Sequence, residues 1–170
     1  MKGALSAPEP LADHHDLADF SSGELSLDEW LRRRARPNQV SGASRTYVVC
    51  ENARVIGYYA LASGAVTVHM APGRFRRNMP EPIPVAVLAR LAVDRTRQGQ
   101  GIGRALFRDA ALRILNAADV IGIRGIVVHA ISDAAKRFYT ALGFDESPRE
   151  PTTLMVTLAD VQAAMTGAEE

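Results

Sequence analysis

The sequence has little cysteine, little lysine and no long apolar run, and each shortage excludes a class of protein. Cys50 is the only cysteine, so the chain can form neither an intrachain disulfide framework nor a cysteine-based zinc cluster. No apolar stretch approaches the roughly 20 residues that a membrane-spanning helix needs. The N-terminal segment is acidic and lacks the apolar core of a secretory signal. We therefore expect a cytoplasmic protein that does not enter a membrane.

What remains is ordinary globular composition. Hydrophobic residues make up 47% of the 170 residues and charged residues 23%, which excludes a disordered or fibrous protein. A chain of this length buries a sizeable core without disulfides or metals. We expect a single domain over residues 1–170, with Cys50 as a small core residue rather than a reactive thiol.

The near-neutral net charge of +1 conceals a strongly basic middle segment. Residues 31–113 carry fifteen arginines against four acidic residues, whereas the segments before and after are net acidic. A GC-rich genome would explain why arginine replaces lysine, but it would not explain why the arginines cluster. Because the guanidinium fork suits phosphate, the clusters predict an anionic partner. The clustered residues are Arg32, Arg33, Arg34 and Arg36, and Arg74, Arg76 and Arg77.

Hydrophobic periodicity and turn residues predict a mixed α/β sheet in the order β-α-β-β-β-α-β-α-β. The predicted strands are Leu17–Phe20, Thr46–Cys50, Val55–Leu61, Val85–Val93, Gly125–Ala130 and Thr153–Leu158. The predicted helices are Ser26–Arg36, Ile102 to about Val120, Ser132–Leu142 and a frayed one from Asp160. Ser26 and Ser132 are the expected N-caps, and Pro37 is expected to stop the first helix. Residues 64–82 are expected to be irregular.

The turn that follows Val93 points most directly to chemistry. The run Gln98-Gly99-Gln100-Gly101-Ile102-Gly103-Arg104 joins a buried strand to a helix, and the first amides of a helix point outward without partners. Glycine lets an anion approach the backbone, and the helix dipole adds partial positive charge. The run therefore predicts a phosphate cradle, the alternative being a tight turn without a ligand.

Two common nucleotide-binding motifs do not match this turn. The Walker pattern needs a lysine, and neither Lys2 nor Lys136 lies near the turn. The dinucleotide fingerprint needs a further glycine, but Gly103 is followed by Leu106 at that spacing. If the turn binds phosphate, we therefore expect its ligand to belong to a class that neither motif serves.

The spacing Gln98-x-x-Gly101-x-Gly103 resembles the acyl-CoA signature of the GCN-five-related N-acetyltransferases, the GNAT family. The stretch Ser132–Phe144 resembles the second GNAT signature, a helix that ends in A-x-x-F-Y-x-x-x-G-F. With the strands, the resemblance covers about residues 44–158. It implies a GNAT fold, in which a mixed, mostly antiparallel sheet with splayed central strands is flanked by helices. It also implies acetyl-CoA as the co-substrate.

Three segments resemble more narrowly the GNAT toxins of bacterial toxin–antitoxin pairs, of the TacT and AtaT kind. They are SGELSLDEWL at Ser22–Leu31, RRNMPEPIPV at Arg76–Val85 and LARLAVD at Leu88–Asp94. This resemblance implies an enzyme that acetylates the free α-amine of aminoacyl-tRNA and so inhibits translation. It also implies a ribbon-helix-helix antitoxin and a homodimer.

The same resemblance implies roles for individual residues. Tyr139 would protonate the departing thiolate as general acid, and the amide of Val93 would bind the thioester carbonyl. A buried core role is the alternative for Tyr139. The expected acetyl-CoA contacts are Leu91, Ala92, Val93, Gln98, Gly99, Gln100, Gly101, Ile102, Gly103, Arg104, Ser132 and Ala135. The expected tRNA contacts are Arg32, Arg33, Arg34, Arg36, Arg74, Arg76, Arg77 and Arg90.

Other assignments stay open in the sequence. No general base is evident, since Glu29, Asp94 and His129 are candidate proton relays that each have a structural alternative. His14, His15 and His69 lack partners at ligand spacing, so we expect no metal site. A GNAT enzyme for a small amine, such as a polyamine or an aminoglycoside, is one competing function, and the basic middle segment disfavours it. A non-catalytic acyl-CoA or RNA-binding module is another, and Tyr139 with the glycine turn disfavours it.

Overall fold

A computed structural model describes residues 3–169 of the chain. Its seven strands are β1 (Glu9–Pro10), β2 (Arg45–Glu51), β3 (Arg54–Val66), β4 (Ile83–Val93), β5 (Gly125–His129), β6 (Asp145–Glu146) and β7 (Thr153–Thr157). Its helices are α1 (Leu25–Arg33), α2 (Ala35–Ser41), α3 (Gly73–Arg76), α4 (Ile102–Ala118), α5 (Asp133–Ala141) and α6 (Leu158–Glu169). Within the described range, no helix is both long enough and apolar enough to cross a membrane.

The strands form a sheet in the order β1-β2-β3-β4-β5-β7-β6. β4 and β5 run parallel, whereas β1–β2, β2–β3, β5–β7 and β6–β7 are antiparallel. The predicted mixed, mostly antiparallel sheet flanked by helices is therefore confirmed. The chain divides into two compact units. The first unit comprises residues up to Ala62 and Leu88–Leu112, and the second comprises Ser63–Val87 and the residues from Arg113 onward.

In the first unit, the predicted hairpin forms as β2 and β3. Glu51 pairs with Arg54 across a two-residue turn in which Asn52 has a left-handed φ of 57°, a conformation that asparagine tolerates. Cys50 lies in the core at 1% exposure, as predicted, and burial raises the pKa of its thiol to about 11. The thiol is therefore protonated and unreactive at neutral pH.

The predicted strand at Leu17–Phe20 is wrong, because these residues form a turn in which the amide of Phe20 donates to the carbonyl of Leu17 at 3.2 Å. Both side chains are buried all the same. Spacing of three residues lets a turn point both into one core, and the sequence pattern does not distinguish this from a short strand. The N-terminal strand is β1 instead, where Glu9 pairs with Val48.

The first predicted helix is also corrected. Ser26 lies inside α1, whose N-cap is Glu24, and the helix ends at Arg33 rather than at Arg36. Pro37 is the third residue of a second helix, α2. A proline in the first turn removes an N–H that has no helical partner in any case, so the helix accommodates it there. The helix is therefore interrupted about one turn earlier than predicted, and a second helix, α2, follows at once.

In the second unit, β5 lies between β4 and β7. Val85, Ala86 and Val87 pair with Gly125, Ile126 and Val127 of β5, and β5 pairs over its whole length with β7. Both predicted ends of α5 are confirmed. At the N-terminus, Ser132 caps the helix by accepting from the amide of Ala135 at 3.1 Å, and after the C-terminus Gly143 has a φ of 101°.

The segment 64–82, expected to be irregular, is partly ordered. β3 continues to Val66, a 3-10 turn covers Val68–Met70, and α3 follows. Phe75 of α3 is buried and packs in a core with Ile83, Val127 and Met155. Phe75 thus anchors the segment in the core despite its prolines and glycines.

Gly125 makes this packing possible and generates a stability prediction. A Cβ at this position would lie 2.1 Å from the carbonyl oxygen of Val156 and 2.5 Å from a ring carbon of Phe75. Because backbone must shift to admit it, we expect Gly125→Ala to lower the free energy of unfolding by about 1–3 kcal/mol, the usual cost of overpacking. Urea denaturation measures the change.

Gly122 offers the matched control, because a Cβ there meets nothing within 4 Å. We expect Gly122→Ala to be neutral or to stabilise by less than about 1 kcal/mol. Equal urea midpoints for the two variants would contradict the packing argument.

Candidate active site

The candidate acyl-donor site begins where β4 ends, in the first unit. Asp94 follows Val93, is 2% exposed, and caps the 3-10 turn Arg95–Arg97 by accepting from the amide of Thr96 at 3.1 Å and from its hydroxyl at 2.6 Å. The same carboxylate accepts from the amide of Ser21 at 2.9 Å. A buried carboxylate therefore fixes the direction in which the chain leaves the strand.

Burial alone would raise the pKa of the Asp94 carboxyl. Hydrogen bonds from the Thr96 hydroxyl and from the amides of Ser21 and Thr96, with the nearby charge of Arg54, outweigh burial and leave the pKa below its usual value. The carboxylate is thus ionised and fully engaged at neutral pH. This agrees with a structural role at the strand end rather than a proton relay.

The predicted glycine turn leads directly into α4. Gly99 and Gly101 have φ values of 78° and 82°, a left-handed conformation that costs most other residues energy. The amide of Ala105, which donates to the carbonyl of Gly101 at 3.1 Å, makes a bond of the first helical turn. The amides of residues 102–104 precede it, so they lie in the turn whose donors an anion can use.

Two hydrogen bonds fix the side chain of Gln98. Its side-chain nitrogen donates to the carbonyl of Val93 at 2.9 Å and to the carbonyl of Ser22 at 2.7 Å. It therefore braces the glycine turn against the end of β4 and against the segment before α1. Leu91 and Val93 of β4 are half-buried and Ala92 is buried, whereas Arg104 is exposed on the first turn of α4.

Tyr139 lies in the second unit, in the last turn of α5. Its ring is 8% exposed and makes edge contacts with Phe138 at 5.1 Å and Phe144 at 5.4 Å between centroids. Burial raises the pKa of its phenol, which keeps the proton on the oxygen at neutral pH. A protonated phenol is the form that a general acid needs. Ser132 and Ala135 lie at the start of the same helix, exposed and half-buried respectively.

The candidate relay His129 ends β5 and is exposed. Its Nδ1 lies 3.0 Å from the hydroxyl of Thr153, in agreement with the interpretation of a hydrogen-bonded structural imidazole. Glu29 is half-buried on α1.

The predicted arginines of the first unit divide into two kinds. Arg36 is structural, since its guanidinium donates to the carbonyls of His15 at 2.7 Å and Ala12 at 3.1 Å and so holds the N-terminal segment. Arg90 lies 5.2 Å from the ring centroid of Trp30, a cation–π distance. Arg33 and Arg34 are exposed at the end of α1.

The second basic cluster, on and after α3, divides in the same way. Arg74 forms an ion pair with Asp160 at 3.1 Å. Arg124 donates to the carbonyls of Arg74 and Phe75, both at 2.9 Å, and so holds the short helix by its backbone. Arg76 and Arg77 are exposed, and among the described residues neither pairs with an acidic side chain.

Glu9, His14 and His15 offer three ligand atoms within 4.8 Å of one another, a cluster that the spacing of the histidines did not reveal. The hydrogen bonds of His15 do not suit a metal. Its Nδ1 accepts from the amide of Ala12 at 2.8 Å, so its Nε2 carries the proton and lies 2.8 Å from Glu9. A metal on Nε2 would leave an imidazolate, whereas ligand histidines keep an N–H on the other nitrogen. The cluster fits a structural hydrogen-bond network.

Sequence reasoning missed the segment before α1 as part of this region. Asp28 is 4% exposed and accepts from the amide of Ser22 at 3.0 Å and from its hydroxyl at 2.6 Å. Arg95 donates to the hydroxyl of Ser21 at 2.8 Å. This last bond joins residues more than 70 positions apart in the chain, so no local pattern signals it.

Comparison with known proteins gives the family. Residues 42–146 match the model of the acetyltransferase (GNAT) domain. The chain is 53% identical, over 93% of its length and 95% of the relative's, to a tRNA-acetylating toxin of Mycobacterium tuberculosis. It is 30% identical to a probable toxin TacT of Sinorhizobium fredii, with 92% and 93% of the two chains covered.

Solved structures agree. AtaT complexed with acetyl-methionyl-tRNAfMet superposes with a TM-score of 0.87 at 29% identity, covering 95% of this chain and 99% of that one. A tyrosine-to-phenylalanine variant of AtaT bound to the C-terminus of the antitoxin AtaR and to acetyl-CoA gives a TM-score of 0.81 at 28% identity, covering 96% and 99%. From the two signatures, the sheet and these matches, the chain belongs to the GNAT acetyltransferase family.

Proposed function

We propose that this protein transfers the acetyl group of acetyl-CoA to the free α-amine of an aminoacyl-tRNA and thereby inhibits translation. The observation that carries the proposal is the 53% identity, over nearly the whole chain, to a tRNA-acetylating toxin. The glycine turn and Tyr139 supply the parts that the reaction requires. We further propose that the whole chain works as one acetyltransferase domain.

The donor is held by the backbone. The diphosphate of acetyl-CoA binds the amides at the start of α4, which follow the left-handed residues Gly99 and Gly101. The pantetheine arm runs along Leu91–Val93, beyond the residues Val85–Val87 through which β4 pairs with β5, and the amide of Val93 donates to the thioester carbonyl. Gln98 contributes by keeping Val93 and the turn in fixed relation.

The chemical step is addition followed by elimination. The neutral amine attacks the thioester carbonyl carbon, and the developing oxyanion accepts a hydrogen bond from the amide of Val93. The carbon–sulfur bond then breaks, and the departing thiolate takes a proton from the phenol of Tyr139. The nitrogen loses its proton to water and the phenolate of Tyr139 regains one from water, so no dedicated base is required.

The same kinship supports proposals for the antitoxin and for the assembly. AtaT binds the C-terminus of an antitoxin, AtaR. We propose that this chain is likewise neutralised by an antitoxin, of the ribbon-helix-helix type, and that it forms a homodimer. Charged tRNA is a cytoplasmic substrate, so the protein acts in the cytoplasm.

The direct test is incubation of the protein with labelled acetyl-CoA and a pool of charged tRNAs. We expect label on the aminoacyl group of at least one tRNA species, identified after hydrolysis of the ester. Uncharged tRNA should stay unlabelled, because it has no α-amine. Labelling of spermidine or an aminoglycoside in place of charged tRNA would contradict the proposal.

The donor site generates a prediction for Gly103→Asp. A carboxylate in the first turn of α4 is compatible with the helix dipole, so the fold should persist, but it opposes the diphosphate. We expect acetyl-CoA binding to be lost in calorimetry, while Gly103→Asn, of equal size and without charge, keeps measurable binding. Unchanged affinity in a folded Gly103→Asp protein would remove the assignment of the loop.

The phenol of Tyr139 generates a second prediction. Tyr139→Phe removes one hydroxyl and almost no packing, so the ring contacts with Phe138 and Phe144 persist. We expect turnover to fall about 10²-fold or more, within the range of general acid catalysis, with acetyl-CoA affinity kept. Expression of the variant should not arrest growth. Full activity would assign the acid to another group.

Arg76 and Arg77 generate a third prediction, since both are exposed on the anchored α3 segment. If they bind the tRNA backbone, changing both to Glu raises KM for charged tRNA and lowers the salt dependence of binding, because fewer counterions are released. The effect should be similar across tRNA species, and acetyl-CoA affinity should hold. The control is the double change Arg45→Glu and Arg149→Glu, which alters net charge equally; matching KM values for the two double variants would refute the contact.

A further inference from the structure

A polar cavity of about 480 Å³ lies in the first unit, between the segment before α1 and the 3-10 turn after β4. Its wall includes Asp19, Ser21, Asp28, Arg32 and Arg95. The glycine turn and Tyr139 do not line it, so the chemistry proposed for them leaves the cavity free for another purpose.

Two guanidinium groups reach the cavity from different elements. Arg32 of α1 donates to the carbonyl of Phe20 at 2.8 Å, and Arg95 donates to the hydroxyl of Ser21 at 2.8 Å and 3.3 Å. These bonds fix both side chains to the same short segment, yet each guanidinium keeps further N–H donors. Both residues are exposed, so the remaining donors are available to a ligand.

Among the described residues, neither acidic residue of the wall forms an ion pair with the two arginines. The carboxylate of Asp28 is buried and is engaged by the amide of Ser22 at 3.0 Å and 3.2 Å and by its hydroxyl at 2.6 Å. Asp19 is exposed, and among the described residues it forms no ion pair with either arginine. The wall carries two carboxylates as well as two guanidiniums. The exposed guanidiniums supply its charged N–H donors, however, and their fork geometry favours phosphate.

Three hydrogen bonds join the segment before α1, which forms part of the cavity wall, to the residues between β4 and the glycine turn. The amide of Arg95 donates to the carbonyl of Ser21 at 2.8 Å, and the amide of Ser21 donates to Asp94 at 2.9 Å. The side chain of Gln98 donates to the carbonyl of Ser22 at 2.7 Å. An anion in the cavity therefore lies next to the turn that holds the acyl donor.

We propose that Arg32 and Arg95 form a subsite for one backbone phosphate near the 3′ end of the tRNA substrate. This inference rests on the proposed function, because the α-amine of an aminoacyl-tRNA is esterified to the terminal nucleotide. A phosphate close to that end must then lie close to the acetyl donor. The subsite positions the acceptor end, whereas Arg76 and Arg77 belong to the other unit.

The test compares Arg32→Gln and Arg95→Gln with Arg45→Gln. Arg45 is a matched control, since it is exposed and donates one bond, at 3.0 Å, to the carbonyl of Gln39. Binding is measured with a deacylated RNA minihelix that carries only the acceptor stem and its 3′ single strand. Activity is measured with the same minihelix after charging.

We expect each cavity variant to weaken minihelix binding about tenfold, as for loss of a charge-assisted hydrogen bond. The slope of log affinity against log salt should fall by about 0.7 for each phosphate that the variant no longer neutralises. KM for the charged minihelix should rise in parallel, while kcat and acetyl-CoA affinity hold. Arg95→Lys should keep the salt slope and recover only part of the affinity, because it lacks the fork.

Three results would overturn the subsite. Equal effects of Arg95→Gln and Arg45→Gln would show a general loss of charge. A parallel loss of acetyl-CoA affinity would mean that the phosphate comes from the coenzyme. Weaker binding with an unchanged salt slope and a lowered melting temperature would mean that the arginines only brace the Ser21 segment. Failure of the wild-type protein to acetylate the charged minihelix would instead contradict the proposed function, and the binding assay would still test the subsite.

Discussion

The buried carboxylate of Asp94 organises the donor side of the molecule. It lies directly after the strand that we propose to hold the thioester, and it accepts hydrogen bonds from Ser21 and Thr96. Because these donors belong to two separate segments, the carboxylate fixes the exit of β4 and the approach to α1 together. Burying a carboxylate costs free energy unless its oxygens accept hydrogen bonds. Here the segments that donate those hydrogen bonds are the ones that border the site. The glycine turn can be short and lacking in side chains because the residues before it are already fixed.

What the sequence predicted well was what is encoded locally. The glycine turn, the Ser132 cap and the Gly143 stop depend on residues within a few positions of one another, and the hairpin depends on its own turn. The N-terminal segment was mispredicted because distant contacts decide its form. Leu17 and Phe20 are buried by packing, and Arg36 holds the chain at the carbonyls of Ala12 and His15. No pattern within residues 11–20 contains that information.

The arginine clusters illustrate a second limit of sequence reading. Composition counted every arginine of the middle segment alike, but the structure separates those that hold the fold from those that face solvent. Arg97 is 8% exposed and pairs with Glu51, and this hydrogen bond lowers the pKa of the Glu51 carboxyl. Arg36 binds backbone carbonyls instead. The charge available to a polyanion is therefore smaller than the excess in the sequence and is concentrated at fewer positions, which makes its contacts easier to assign.

The acceptor amine itself explains why the proposed reaction needs no visible base. An α-amino group titrates near pH 7.7–8.0, about two to three units below a lysine-like amine near pH 10.4. At neutral pH a useful share of the α-amine is therefore already neutral, whereas less than about one in a thousand lysine-like amines would be. In the subsite that we propose, the guanidiniums of Arg32 and Arg95 donate to a phosphate of the aminoacyl-tRNA, a group that a polyamine lacks. Selection of the substrate would then come from its phosphates, and the low pKa of its α-amine would remove the need for a base.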